Sequence, residues 1–501
     1  MSASEYDPVE TAYELVSRGC AARALPLIEP LAAAVDADHR QLAAYASVLR
    51  SLGRSQESLK TYERAVRTAP HSGLAEHNLA AILEQLGRFA DAEAASRRAL
   101  AKGMDAPEVW AVLARCLQAQ DQHDDAERAY REALRRCPTM ADVQRDLAQL
   151  IWMRTGDVVS ATAALREAIA SLSFAPELTL QLGTALRYAG QEGVALSILK
   201  AEIDRAPHIS PDLEVAAAST AAAVKDFSAS EWHARRAVES APHSSTAILA
   251  LCDAFVAQGR PAAAAPILES LHARLPHAQQ VTARLTTVWR LIGDARYRVL
   301  CDYDTLVAGW TIEIPTGWPS LQSYLTDLAA ALRAFHTVRA HPFDQSLRGG
   351  TQTHADLAQC SDPVIRAFFQ AVDEPIRCYI NDIAAREEPL RQRGTVAYRI
   401  HSAWSVRLRP AGFHVNHVHQ YGWLSSACHI EVPAVVDHGG QEGWLKLGEP
   451  GIATQPPLSA DRLIRPQPGR LILFPSYIWH GTVPFSGDSE RLSIGLDVVP
   501  V

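Results

Sequence analysis

Three histidines lie within six residues of the run GFHVNHVHQYGW (412–423). Side chains at positions i and i+2 of a strand point the same way, so His417 and His419 are placed to face one point together. His414 has the opposite parity and is expected beside the ligands or at the surface. Imidazole is a common ligand of transition metals, so the pair suits one metal ion. A third ligand must come from another segment, and His480 in FPSYIWHGTVPF is the candidate.

An arginine accompanies these histidines on the last β-prone run, RLSIGLDV, which begins at Arg491. A guanidinium can bind a carboxylate through two parallel hydrogen bonds, so Arg491 suits an anion site. Taken singly, each histidine is more often structural, and the arginine could pair with Asp488 or Glu490 at the surface. Taken together, His417, His480 and Arg491 predict a metal site with an anion site beside it.

The segment that carries these residues is rich in short strands. About seven β-prone runs in 396–501 are bounded by Gly, Pro, Asp or Ser, which is typical of a small antiparallel sandwich or jelly roll. Helical patterns occupy 321–336 and 363–385, and the polar, glycine-bearing stretch 341–357 between them is predicted to be an ordered loop. We therefore expect a helical connector over 301–395, followed by a β-domain.

The first 300 residues repeat. SLGRSQESLKTYERAVRTAP (51–70) aligns with QLGRFADAEAASRRALAKGM (85–104) and with AQDQHDDAERAYREALRRCP (119–138), at a spacing of 34 residues. Small residues recur where two helices would cross, glycine closes the turn between them, and proline ends the pair. Such units bury their apolar faces only by stacking, so 1–300 is predicted to be a superhelix of about eight repeats with a concave groove.

Composition excludes several functional classes. The net charge of −8 and the isoelectric point near 6.2 argue against nucleic-acid binding. The sequence contains no apolar run long enough to span a membrane, and its start, MSASEYDPVE, lacks the pattern of a signal peptide. The eight cysteines are scattered without a CxxC pair, which predicts neither a zinc ribbon nor a disulfide framework and favours a cytoplasmic location. Motifs of P-loop nucleotide binding and of serine hydrolases are missing as well.

Two resemblances follow from these runs. The N-terminal array resembles the tetratricopeptide repeat. PAGFHVNHVH, GRLILFPSYIWHGTVPF and RLSIGLDV resemble the 2-oxoglutarate/Fe(II)-dependent dioxygenases of the prolyl-hydroxylase type. The resemblance implies a multidomain α + β protein, an all-α solenoid followed by a double-stranded β-helix of the jelly-roll or cupin kind. It also implies a hydroxylase that uses Fe(II), 2-oxoglutarate and O2, with a peptide or protein held in the groove of the repeats.

The resemblance assigns roles to individual residues and fails at one of them. It implies that His417 and His480 are metal ligands and that Arg491 binds the far carboxylate of 2-oxoglutarate. His419, however, stands where the family has an Asp or Glu ligand. His419 could be a third ligand, or it could support the site while water or another carboxylate fills the position, or the centre could be inactive. Strand parity and spacing favour His419 as a ligand.

This departure keeps two further functions open. One is a non-catalytic scaffold in which the repeats bind a partner and the oxygenase domain is degenerate. The other is a three-histidine oxygenase that does not use 2-oxoglutarate.

Several residues near these motifs are secondary candidates. Those that could contact substrate or support the ligands are Arg407, His414, Trp423 and Gln352. The last of them lies in DQSLRGGTQT, which resembles a segment typical of bacterial oxygenases of this family that carry tetratricopeptide repeats before the oxygenase domain. Trp423 could equally be part of the core, and a buried Arg407 would need an anionic partner. His429 and Glu431 share strand parity and are predicted to form a solvated face.

Overall fold

The structure is a computed structural model that describes residues 7–384 and 397–501. It divides into two compact units, Met1–Leu150 and Ile151–Val501. The boundary expected at 395/396 lies outside the described residues. Within the described part of the chain, no helix combines the length and the apolar character needed to cross a membrane.

Consecutive helix pairs build the first unit. Its helices are α1 (Pro8–Ser17), α2 (Ala21–Ala33), α3 (His39–Ser51), α4 (Ser55–Thr68), α5 (Gly73–Gln85), α6 (Phe89–Ala101), α7 (Pro107–Ala119), α8 (His123–Arg136) and the beginning of α9 (Ala141–Thr155). Gly53 and Gly87 end α3 and α5 with φ of 76° and 72°, a left-handed conformation that suits glycine. Small buried residues such as Ala80 and Ala95 let the helices approach closely, as the repeat pattern predicts.

The second unit begins with the same kind of helix pair. After the end of α9 come α10 (Val158–Ala170), α11 (Pro176–Tyr188), α12 (Glu192–Arg205), α13 (Pro211–Ala223), α14 (Phe227–Ser240), α15 (Ser245–Ala257), α16 (Pro261–Arg274) and α17 (Gln279–Ile292). Two short helices, α18 (Arg296–Leu300) and α19 (Tyr303–Leu306), precede the β-domain, whose own helices are α20 (Leu321–Arg333) and α21 (Pro363–Ala384).

Two antiparallel sheets follow the helices. The strands are β1 (Ala308–Thr311), β2 (Leu347–Gln352), β3 (Tyr398–His414), β4 (Leu424–Glu431), β5 (Leu445–Leu447), β6 (Arg462–Ile464), β7 (Arg470–Pro475), β8 (His480–Thr482) and β9 (Arg491–Pro500). One sheet has the order β1-β7-β4-β9-β3-β2 and the other β6-β5-β8. A helical array followed by antiparallel sheets confirms the predicted fold class. The finer expectation of a double-stranded β-helix stays a prediction.

Alternation along β9 separates the core from the candidate site. Leu492, Ile494 and Leu496 pack into an apolar cluster with residues of α20 and α21, which cover one face of the larger sheet. The residues between them therefore point to the other face, and that set begins with Arg491 and includes Asp497. This second face is where the candidate site lies.

The repeats of the second unit share a core with the β-domain. Trp479, just before β8, donates its indole N–H to the carbonyl of Ala283 (3.1 Å) and to Thr287 Oγ1 (2.9 Å) on α17. Arg290 of the same helix forms an ion pair with Asp461 at 2.6 Å. Apolar residues of α15 to α17 and of the strands belong to one buried cluster. The last repeats therefore hold β8 in place.

A buried histidine between α20 and the larger sheet makes stability depend on pH. His336 is 7% exposed, and its ring contacts Thr351 Oγ1 (2.8 Å) and Ser405 Oγ (3.1 Å). Burial, with the nearby positive charge of Arg407, lowers the pKa of His336 to about 4. Because the unfolded chain has a pKa near 6.5, it binds the proton more readily, so the stability that His336 contributes is lost as the pH falls from 6.5 towards 4.

We expect the free energy of unfolding of the wild type to fall between pH 6.5 and 4.5 by about 2 kcal/mol more than that of His336→Gln. Urea unfolding followed by tryptophan fluorescence at each pH measures this difference. If the free energy of unfolding of the two proteins falls equally with pH, His336 is not the cause of the acid sensitivity.

Candidate metal centre and anion site

His417 and His480 are held opposite each other by their backbones. The amide of His417 donates to the carbonyl of His480 at 2.9 Å, and the amide of His480 donates back to the carbonyl of His417 at 3.0 Å. Gly481 allows this close approach, because a Cβ there would lie 2.4 Å from Asn416 Oδ1 and 2.9 Å from the carbonyl oxygen of His414. A larger residue at position 481 would push the loop after β3 away from β8.

The orientation of both rings leaves one nitrogen of each free to bind a metal. Nδ1 of His417 lies 2.9 Å from the carbonyl of Val415, and Nδ1 of His480 lies 3.0 Å from that of Ile478. A carbonyl can only accept, so Nδ1 carries the proton and Nε2 keeps its lone pair. Burial lowers the pKa of His417 to about 3 and that of His480 well below its usual range. Both rings are therefore neutral, which is the form that binds metals.

His419 completes the group and has a carboxylate behind it. Its Nε2 lies 3.1 Å from Nε2 of His417, and its Nδ1 lies 2.5 Å from Oδ1 of Asp497. The ligand atoms of His417, His419 and His480 lie within 4.8 Å of one another. Two ring nitrogens at 3.1 Å need either a proton or a cation between them, because their lone pairs repel. A carboxylate on Nδ1 orients such a ring and makes its Nε2 a stronger donor.

Aromatic rings wall this centre. The ring of Trp404 lies 5.4 Å from that of His419, and the ring of Phe474 lies 4.8 Å from that of His480, both measured between centroids. Gly495 makes room for Trp404, since a Cβ at this position would lie 2.9 Å from the indole. The histidines open into a cavity of about 660 Å³.

Arg491 lines the same cavity and is a buried charge without an anionic partner. The residue is 3% exposed. Its Nη1 donates to the carbonyl of Gly443 (2.7 Å) and its Nη2 to Nδ1 of His429 (3.1 Å). Nε has no hydrogen-bond partner, and no carboxylate of the described residues forms an ion pair with this guanidinium. Burial lowers the pKa of Arg491 to about 10, which reflects the cost of the uncompensated charge. Such a group suits the binding of an anion.

The prediction of a solvated face at His429 and Glu431 is wrong. His429 is completely buried against Arg491, whereas Glu431 forms an ion pair with Arg333 outside the cavity. The physical reason is an irregularity of register between His429 and Glu431 in the pairing of β4 with β9, which breaks the alternation. Burial and the charge of Arg491 hold the pKa of His429 well below its usual range, so its ring is neutral and accepts from the guanidinium.

The structure brings some of the secondary candidates to the cavity and leaves others out. His414 and Gln352 line it, and the ring centroid of His414 is 6.0 Å from that of His417. Trp423 is 5% exposed and packs in the apolar core under α20 and α21. Arg407 points away from the cavity and forms a bidentate ion pair with Glu490, at 2.7 and 2.9 Å.

Sequence reasoning missed Asp497, although a signal for it was present. Asp497 and Arg491 lie an even number of positions apart on β9, so strand alternation places both on the face of the histidines. Asp497 is 6% exposed and also accepts a hydrogen bond from Ser425 Oγ at 3.0 Å.

Comparison with solved structures finds helical-repeat proteins. A tetratricopeptide repeat protein from Parabacteroides merdae is 15% identical, with 49% of this chain and 96% of that chain covered and a TM-score of 0.36. PilW, a type IV pilus biogenesis factor, is 19% identical, with 42% and 98% covered and a TM-score of 0.34. MamA from Desulfovibrio magneticus RS-1 is 16% identical, with 33% and 96% covered and a TM-score of 0.29. No curated protein matches the chain.

Family models match both parts of the sequence. Residues 49–116 and 107–150 match tetratricopeptide-repeat models. Residues 402–497, which contain all three histidines and Arg491, match the family described as "Putative 2OG-Fe(II) oxygenase". These matches confirm the two resemblances drawn from the sequence. The chain thus carries tetratricopeptide repeats followed by a C-terminal domain that matches the family described as "Putative 2OG-Fe(II) oxygenase".

Proposed function

We propose that the C-terminal domain is an Fe(II)/2-oxoglutarate-dependent dioxygenase, a hydroxylase to which the repeats present a peptide or protein. The observation that carries the proposal is the convergence of three imidazoles on one cavity that also contains the unpaired guanidinium of Arg491. The proposal includes the division of the chain into repeats (1–300), connector (301–395) and oxygenase core (396–501). It also places the protein in the cytoplasm, where its eight unpaired cysteines stay reduced.

The donor set fits Fe(II). Imidazoles suit iron, and a set of three protein ligands would leave coordination positions for other ligands. In our proposal His417, His419 and His480 are those ligands. Asp497 keeps the proton on Nδ1 of His419, and its negative charge partly offsets that of the cation. The carboxylate that the family carries at position 419 is thereby replaced by one that acts through the ring of His419.

The second part of the proposal concerns 2-oxoglutarate. Bound Fe(II) and the oxo acid together supply the activation of O2. Arg491 would bind the far carboxylate of the oxo acid, because it is the buried cation beside the histidines. His429 and Gly443 hold the guanidinium in a fixed orientation, which lowers the entropy lost on binding. Trp404 and Phe474 exclude water next to the imidazoles.

The test is an anaerobic absorbance titration of the metal-free protein with Fe(II) and 2-oxoglutarate. We expect a weak visible charge-transfer band that requires both additions. His438→Ala, which removes an exposed histidine, is expected to keep the band and serves as the matched control. We expect His419→Ala to lose the band. Its persistence in that variant would mean that His419 supports the ligands without binding iron.

The same titration separates the two alternative functions. The three histidines favour a three-histidine oxygenase over a scaffold, because they are already oriented for a metal. Iron binding without any band in the presence of 2-oxoglutarate would support that oxygenase and overturn the role of Arg491. A wild-type protein that binds no iron would support the non-catalytic scaffold.

A further inference from the structure

The cavity that contains the metal centre has a wall built by the repeats. Arg187 and Tyr188, at the end of α11, and Glu192, at the start of α12, line it together with Arg348 and Gln352 of β2. A molecule that enters this cavity therefore contacts repeat helices and the oxygenase domain at once. The residues of this wall are placed to select the substrate.

Arg348 lies on this wall, and its guanidinium is held by contacts other than an ion pair. Its Nη1 donates to the carbonyls of Gln345 (2.9 Å) and Leu347 (2.8 Å), and its guanidinium carbon lies 5.1 Å from the centroid of the Tyr188 ring. These contacts fix the plane of the guanidinium. Nowhere in the described ranges, 7–384 and 397–501, does a carboxylate form an ion pair with Arg348.

The neighbouring charges do not satisfy this guanidinium. Burial lowers the pKa of Arg348; Tyr188 and Glu192 act to raise it, and Arg187 acts to lower it further. By contrast Arg407, on the strand that pairs with β2, has a bidentate carboxylate partner in Glu490. A partly buried and oriented cation without an ion pair costs free energy of folding, and it is the arrangement expected of a site that binds an anion.

Besides Arg187, which also forms no ion pair among the described residues, two guanidinium groups without an ion pair line the cavity, those of Arg348 and Arg491. Arg491 is the more deeply buried one and is assigned to 2-oxoglutarate in the proposed function, on which this inference rests. Arg348 lies on the wall shared with the repeats, and its charge acts on His414, whose ring neighbours that of His417. We propose that Arg348 binds a carboxylate of a polypeptide substrate, so that the enzyme selects acidic peptides. The carboxylate can belong to an aspartate or glutamate side chain or to the C-terminus.

The probe is a set of fluorescein-labelled peptide pools with random flanks. One pool has a fixed central glutamate and the other a fixed central glutamine, and each is made with a free and with an amidated C-terminus. Fluorescence anisotropy in the presence of Fe(II) and 2-oxoglutarate, without O2, gives the affinities. We expect the wild type to bind the glutamate pool, or the free C-terminus, about tenfold or more tightly than its neutral counterpart. Arg348→Met should reduce that preference to within about twofold.

Two controls isolate the contribution of Arg348. Arg409→Met removes the same charge from an exposed position outside the cavity and should keep the preference. Binding of 2-oxoglutarate should be unchanged in Arg348→Met, and a thermal melt checks that this variant is folded. Arg348→Lys keeps the charge without the two-pronged donor geometry and is expected to show an intermediate preference.

Three results would overturn the proposal. They are a wild type without preference between acidic and neutral pools, a preference that survives in Arg348→Met, and loss of 2-oxoglutarate binding in Arg348→Met. The last would assign Arg348 to the cosubstrate. Failure of the proposed function looks different, because the wild type itself would then bind no 2-oxoglutarate with Fe(II).

Discussion

In His480→Ala, the affinity for Fe(II) is expected to fall by at least about a hundredfold. The substitution removes one of three converging imidazole donors. It also removes the hydrogen bond from Nδ1 to the carbonyl of Ile478 and the ring's contacts with His417, His419 and Phe474. The bridge to His417 is formed by backbone atoms and is retained in the variant. Equilibrium dialysis of Fe(II) under nitrogen, with the metal quantified colorimetrically, measures the loss.

The controls for this experiment must distinguish the loss of a metal ligand from the loss of a buried ring that supports the fold. His438→Ala tests whether histidines in general bind iron in this protein, and it is expected to bind like the wild type. Circular dichroism checks that His480→Ala remains folded. If folded His480→Ala binds Fe(II) as tightly as the wild type, the triad is structural and the proposed function fails with it.

The second large effect is expected at Arg491. In Arg491→Met, the affinity for 2-oxoglutarate should fall by about a hundredfold or more, because two charge-assisted hydrogen bonds are lost in a buried site. The affinity for Fe(II) should change by no more than about twofold, since the guanidinium is not a ligand. Dialysis of radiolabelled 2-oxoglutarate against the Fe(II)-loaded protein under nitrogen measures the first quantity.

Arg409→Met is again the matched control, because it removes one exposed positive charge and should leave 2-oxoglutarate binding unchanged. Arg491→Lys should bind the oxo acid more weakly than the wild type but better than Arg491→Met, since it keeps the charge. Unchanged 2-oxoglutarate affinity in Arg491→Met would remove Arg491 from the site and favour a centre that works without the oxo acid.

Much of the site follows from local rules that a sequence displays. Strand alternation predicts His417 beside His419 and places Asp497 with Arg491, and both pairs line the cavity. His417 and His419 nevertheless lie beyond the end of β3 at His414, so an extended loop rather than a strand orients them. The same rule fails at His429, because a register irregularity cannot be read from the residue types.

Long-range placement is what the sequence could not supply. Arg407 and Trp404 lie on one strand with opposite parity, but nothing in the sequence says which face of that strand meets the cavity. The contact of Arg348 with Tyr188 joins β2 to a repeat helix far away in the chain, and only the packed structure shows it. The repeats themselves were recognisable, because their period depends on contacts between neighbours in sequence.

The wall that α11 and α12 contribute to the cavity also constrains how this protein can change over evolution. Solenoids commonly acquire new partners by gaining, losing or exchanging whole repeats. Here the repeats that contain Tyr188 and Arg187 line the cavity of the candidate site, and α17 anchors Trp479 next to His480. Recombination within these repeats would alter the groove of the solenoid and the cavity of the candidate site in a single event. The later repeats and the oxygenase domain are therefore expected to be inherited as one block, and an excised oxygenase domain would lose part of its own pocket.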